Sequence, residues 1–232
     1  MLIPLRDYNP RRQFPVVAVA LIVVNALVFL WQILLPPRLG EGLVLAAGAI
    51  PLEITTLTDA GPVASLVPLP FTIVTSMFLH GGWLHLIGNM WFLWLFGDNV
   101  EDRLGRLRFL IFYLVTGAIG ALAQCFMMPT SPIPMIGASG AVAGLLGGYV
   151  LAFPHSRVLT LIPIPFFWHV TTVPAWVFLG LWFIGQFFIG EGSGIAWMAH
   201  VGGFLAGLGL IRIFAPQRRP VVVDADYFPP GR

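Results

Sequence analysis

The sequence predicts an all-α polytopic membrane protein, and three observations carry that reading. The chain is 58% hydrophobic and only 9% charged, where an ordinary soluble domain carries roughly 25% charged residues. Its mean hydropathy is +0.89. Its apolar residues gather into six runs long enough to be read as bilayer spans, hydrocarbon needing about 20 residues of helix. A soluble chain of 232 residues could not bury that much apolar surface.

The runs follow in order. The first is Pro15–Leu35, read as an uncleaved helix because it exceeds a signal core and no small-residue cleavage site follows it. The second, Phe71–Phe96, is interrupted at His80-Gly81-Gly82, so its spanning helix begins near Gly82. The third is Phe109–Met128. The fourth, Ser139–Phe153, is short and glycine-rich. The fifth is Val173–Ile189 and the sixth Ile195–Phe214. With both termini cytoplasmic, every arginine except Arg38 falls on the inner side, as the positive-inside rule asks.

Three segments make the division: a cytoplasmic stretch 1–14, a membrane core 15–214 with a long first outer loop 36–70, and a disordered cytoplasmic tail 215–232. The loop is long enough to fold onto the membrane surface as short helices. The connector Gly190–Gly194 reads as short and flexible. All twelve basic residues are arginine. With so small a positive excess they read as a genome-composition bias of a GC-rich prokaryote, and no nucleic-acid surface is expected. The single Cys125 excludes an intrachain disulfide.

Polar residues inside these runs are the informative ones, because hydrocarbon offers them no water. Ser139 opens the fourth run. His200 lies about five residues, roughly 8 Å, into the sixth. His85 and Asn89 enter with the second run and share a helix face at i,i+4 spacing. In the six-span topology all three sets lie in the outer half of the bilayer. Ser139 is either a packing residue in a small-residue stripe (Gly140, Gly144, Gly147, Gly148) or a nucleophile at a helix N-terminus, where free N–H groups favour an oxyanion. His200 is either an interhelical hydrogen-bonding residue or the base for that serine. Gly203 and Gly207 would press the sixth helix against the glycine face of the fourth and bring the two together. No carboxylate falls within any run, so a Ser-His dyad is simpler than a triad.

His80, His85 and Asn89 also admit a metal reading. His-Gly-Gly-Trp-Leu-His lacks the glutamate and spacing of zinc hydrolases, so no metal or cofactor is expected. His85 and Asn89 serve better as oxyanion donors. A transporter reading lacks charged groups along a path.

Together, His80-Gly-Gly-Trp-Leu-His85-x-x-x-Asn89, Gly137-Ala-Ser139-Gly140, Ala199-His200-x-x-Gly203-x-x-x-Gly207 and Gly97-x-x-x-Glu101-x-x-x-Gly105 resemble the rhomboid family of intramembrane serine proteases. The resemblance spans about residues 15–214. It implies a six-transmembrane-helix rhomboid-like bundle. Ser139 would form an acyl-enzyme and His200 act as base. His85, Asn89 and the Ser139 N–H would hold the oxyanion beside Gly137. His80, Gly140, Gly203 and Gly207 would be supporting residues, with no metal.

The implied substrates are transmembrane proteins cut near the outer membrane boundary, with a small residue before the cut. The implied setting is the lipid bilayer of a bacterial plasma membrane. Helix five, with Trp176, Phe178, Trp182, Phe183 and Phe187, would be the side gate. A catalytically silent helix-binding relative is the alternative. Two departures stand out. The Trp-Arg pair many members carry in the first loop is missing before Phe71. Ala143 stands where some members place an aromatic that stacks on the histidine, so another ring or a hydrogen bond must orient His200.

Overall fold

Apolar helices dominate the chain, and prolines set many of their starts. The computed structural model describes residues 2–59, 61–164, 167–189 and 194–215. The tail from 216 onward and connector residues 190–193, read above as disordered and flexible, lie outside the described residues. Helix α1 runs Val16–Leu34, α2 Pro37–Ala47, α3 Pro51–Thr56 and α4 Leu69–Thr75, continued by a 3₁₀ turn at Ser76–Phe78. Then come α5 (Trp83–Leu104), α6 (Arg106–Met127), α7 (Ser139–Ala152), α8 (Ala175–Gln186) and α9 (Trp197–Phe214). Pro37, Pro51 and Pro70 sit in the first two positions of α2, α3 and α4. There the missing N–H costs nothing and the fixed φ suits a helix.

Three of these helices, α1, α6 and α9, are long and apolar enough to cross a membrane by length and composition. Their outer faces carry large apolar side chains that water would penalise: Leu34 is 81% exposed, Phe126 76% and Ile213 75%. Helix α5 is 22 residues long. It starts at the glycine pair, as the interruption at His80–Gly82 predicts, but it runs two turns past the apolar run to include Asp98, Glu101 and Asp102. Glu101 is buried and bonds the start of α1: Oε1 accepts Val17 N–H at 3.0 Å and Oε2 accepts Ala18 N–H at 2.8 Å. One carboxylate thus satisfies two free donors of a helix whose own N-cap residue, Pro15, supplies no side-chain bond. Gly105 (φ 81°) is the single residue joining α5 to α6, a left-handed position that disfavours a side chain.

The centre of the bundle is a trio, α6, α7 and α9, packed backbone to backbone. A Cβ on Gly203 would strike the Gly140 carbonyl, one on Gly207 the Gly144 carbonyl, and one on Gly147 the Phe204 carbonyl. A Cβ on Gly144 would strike Thr116 of α6. Small residues at each crossing let the helix axes approach this closely.

A three-stranded antiparallel sheet corrects the all-α expectation. Strands β1 (Ile3–Asp7), β2 (Arg157–Ile164) and β3 (Phe167–Pro174) pair in the order β1-β2-β3. Ile3 faces Leu161 and Asp7 faces Val158, with an irregularity between Pro4 and Arg6. Arg157 faces Pro174. Since β2 leaves the C-terminal end of α7, the sheet lies at the opposite end of that helix from Ser139. Asp7 ties the two together: its Oδ2 accepts from Tyr149 Oη of α7 at 2.7 Å and from Asn99 Nδ2 of α5 at 3.2 Å. The first loop does form short helices, α2 and α3.

Candidate active site

Ser139 is the first residue of α7, so its backbone N–H is among the donors that the helix itself leaves free. The chain reaching it is pinned on two sides. Ala49 and Met135 exchange backbone hydrogen bonds of 3.0 and 2.8 Å, and Gly137 N–H donates to Ser76 O at 2.8 Å. Gly137 therefore spends its own N–H on the 3₁₀ turn and has none to offer a ligand. Its contribution is space: at φ 115°, a Cβ there would lie 2.5 Å from His85 Nε2. Only glycine lets the imidazole lie against the approach to Ser139.

His85 stands on the first turn of α5, half-buried. Gly81 N–H donates to its Nδ1 at 3.3 Å. An acceptor Nδ1 puts the proton of the neutral ring on Nε2, the atom that faces Gly137. One turn deeper, Asn89 is 7% exposed. Its buried Nδ2 has no partner among the described residues and lies 3.6 Å from the same Cβ position of Gly137. Two side-chain N–H donors thus converge on the segment leading to Ser139. His80, fully buried, meets His85 edge-on with ring centroids 5.1 Å apart. Its backbone is clamped by Gln32 of α1, whose Nε2 donates to His80 O at 2.9 Å and whose Oε1 accepts His80 N–H at 3.3 Å.

His200 lies in the first turn of α9. Gln124 of α6 caps that helix, its Oε1 accepting Met198 N–H at 3.0 Å. The Gly140–Ala199 approach brings the residue after Ser139 against the residue before His200: a Cβ on Gly140 would lie 3.5 Å from Ala199 O. No direct hydrogen bond joins Ser139 to His200 among the described residues. Catalytic bonds in ligand-free sites are often long and tighten in the substrate complex. Beside Ser139 is a cavity of about 30 Å³ whose lining includes Gly117, Ala121, Gly140, Ala141 and Ala199. Gly140, Gly203 and Gly207 lie at close helix approaches, and the His80 ring lies against that of His85.

Gln186 and Trp182 of α8 were not among the sequence candidates. Gln186 Oε1 lies 2.7 Å from His200 Nδ1, and the Trp182 ring centroid is 6.1 Å from that of His200. Both contact the His200 imidazole from α8. Gln186 is the one polar side chain in the fifth apolar run, so the cost argument that singled out Ser139 and His200 also applied to it. Among the described residues no group of three or more His, Cys, Asp or Glu is placed to hold a metal ion.

Residues 70–217 match the family model for the Rhomboid domain. The chain belongs to the rhomboid family. It is 32% identical to RHOMBOID-like protein 5 of Arabidopsis thaliana over 68% of this chain and 48% of that protein. It is 37% identical to the putative rhomboid protease YdcA of Bacillus subtilis over 34% of this chain and 39% of that one. With the rhomboid protease GluP of the same bacterium it shares 38% identity over 38% of this chain and 17% of that one. This rhomboid spans no more than about half the length of the first curated relatives it matches, 48% and 44%. The matched domain covers α4 to α9, so every candidate site residue falls inside it, while α1, most of the first loop and β1 precede it. Apolar helices and family membership together make it an integral membrane protein.

Proposed function

We propose that this rhomboid is an intramembrane serine endopeptidase that cleaves transmembrane segments through an acyl-enzyme. The observation that carries the reading is convergence: His85 Nε2 and Asn89 Nδ2 both face the turn that delivers Ser139 to the N-terminus of α7. Ser139 Oγ would attack the scissile carbonyl while His200 takes its proton. The developing oxyanion would be held by the Ser139 N–H, His85 and Asn89, donors already in place before charge appears. His200 would return the proton to the leaving amine and then activate water. A cavity of only about 30 Å³, lined by Met77, Met135 and Ile136 as well as by glycine and alanine, suits a small side chain before the cut.

The proposed topology has six spans, α1, α5, α6, α7, α8 and α9, with both termini and the sheet on the cytoplasmic side. Residues 1–14 form the cytoplasmic N-terminal segment and 15–214 the membrane protease domain. At 14 residues, α7 is about 21 Å long, against about 30 Å of hydrocarbon. With its sheet end at the inner boundary, Ser139 sits about 9 Å below the outer one, inside the bilayer yet within reach of water. A bacterial plasma membrane is the setting this reading favours. Purified protein in liposomes should cleave a transmembrane reporter, and Ser139→Ala and His200→Ala should each abolish cleavage. Unchanged cleavage by either variant sinks the mechanism. Failure of Ser139 to react with a fluorophosphonate in folded protein would leave a catalytically silent, membrane-helix-binding rhomboid.

A further inference from the structure

We propose that Gln186 is the positioning residue of the catalytic base: its side-chain amide fixes the tautomer and orientation of His200, and it does so from a different helix. The proposal rests on the dyad reading above.

The argument begins with the amide. Gln186 is buried, 6% exposed, in a helix that is otherwise wholly apolar. Its two ends are chemically distinct, one a donor and one an acceptor. The Nε2 end lies 2.9 Å from the Trp182 carbonyl of the preceding turn. A carbonyl only accepts, so that end must be the NH₂. This leaves Oε1, an acceptor, facing His200 Nδ1 at 2.7 Å. The neutral imidazole must then carry its proton on Nδ1. Its lone pair is on Nε2, the form a base needs to take a serine proton. The same oxygen steadies the imidazolium formed when that proton arrives. A carboxylate does this in a triad; here a neutral amide does it, suited to a bilayer where a buried carboxylate would be costly.

The two partners sit on separate helices. Helix α8 is pinned by backbone at its sheet end, where Ala175 N–H donates to Ser156 O at 2.8 Å and Trp176 N–H to Pro154 O at 3.1 Å. At the other end, Gln186 supplies the polar side-chain tie to α9, alongside stacked rings. Orientation of the base therefore depends on a closed α8–α9 seam at the Ser139 end.

Two readouts test this, one of them independent of activity. Histidine-selective ¹⁵N spectra in micelles should show neutral His200 as the Nδ1–H tautomer in the intact chain. Gln186→Leu should move it toward the Nε2–H form. An Nε2–H tautomer in the unmodified protein overturns the proposal even if the enzyme is active, and an Nδ1–H tautomer supports it even if no substrate is cleaved. In the cleavage assay, Gln186→Leu should lower kcat by about 10–100-fold with KM within about twofold, a part of the 10²–10⁴-fold that a positioned base supplies. Gln186→Glu, which keeps the acceptor, should recover most of kcat and move the acid limb of the rate profile to higher pH. Equal kcat for the leucine variant, or a glutamate variant no better than leucine, contradicts the assignment. A wild type that cleaves nothing but shows the Nδ1–H tautomer indicts the protease reading instead.

Discussion

The seam between α7 and α9 and the seam between α8 and α9 are built from opposite materials. The first is backbone on backbone: a Cβ on Gly203, Gly207 or Gly147 would strike the carbonyl of Gly140, Gly144 or Phe204 across the seam. The second is ring on ring: Phe183 stacks on Phe204 at 4.6 Å, Trp182 on Phe204 at 6.1 Å, and Phe187 meets Trp197 at 5.9 Å. Gly180 and Gly185 of α8 have open space where a Cβ would go. Backbone contacts between helices have few alternative arrangements, whereas side chains on rotatable bonds have many. The first seam fixes the serine relative to the histidine. A change in the second would leave the backbone contacts that hold the start of α7 in place.

The strongest way to break this contrast is to put side chains on the tight seam. Gly147→Leu or Gly207→Leu drives a side chain into a carbonyl. Each should cost more than about 3 kcal/mol, the upper range for overpacking, read as loss of monodisperse protein in detergent. A second test moves away from both seams. Glu101→Ala strands the Val17 and Ala18 N–H groups and should cost about 1–3 kcal/mol, measured as a lower unfolding temperature while cleavage per folded molecule stays the same. That result would separate holding α1 in place from building the site.

A smaller effect concerns the sheet end of α7. Burial pushes the Asp7 carboxyl up to about 6 from its ordinary 3.8, the hydrogen bond from Tyr149 pulling the other way and Asp98 of α5 adding to the rise. A carboxyl raised by folding binds its proton more tightly in the docked state than when free. Docking of β1 is thus strongest below about 3.8, weakens as pH rises toward about 6, and is flat above that. The protection factor of the Tyr8 N–H, bonded to Arg157 O at 3.0 Å, taken against the intrinsic exchange rate at each pH, should fall across that window. Asp7→Asn should remove the dependence. The smallest effect sharpens the contrast from its loose side. Gly185→Ala should leave stability unchanged or raise it by up to about 1 kcal/mol through helix propensity, in the same assay where Gly207→Leu is ruinous.

Much of this was legible in the sequence, and the omissions share a cause. Hydrophobic runs placed α1, α6, α7 and α9 to within about three residues, because spanning helices must satisfy their own backbone. The sheet was not legible. Its first strand pairs with a partner more than 150 residues away, and Pro163 and Pro165 disguise the hairpin as a connector. Ser139, His200, His85 and Asn89 stood out by polarity, and the glycine spacing foretold the crossing of α7 and α9. The use of Gly137 as space for an imidazole was hidden, since it depends on Ser76 and His85 from a distant segment. Gln186 met the same criterion as His200, a polar group in hydrocarbon, and differed only in lacking a motif around it.

The central claim is that Ser139 and His200 act as one nucleophilic unit on a transmembrane segment. Reconstituted protein should be assayed on a single-span reporter, comparing wild type with Ser139→Ala, His200→Ala and the double variant, all shown to be folded. Each single change should remove cleavage by at least about 10³-fold, and the double variant should be no worse than either, as for residues that act together. Cleavage that survives either single change, or losses that multiply in the double variant, would contradict it.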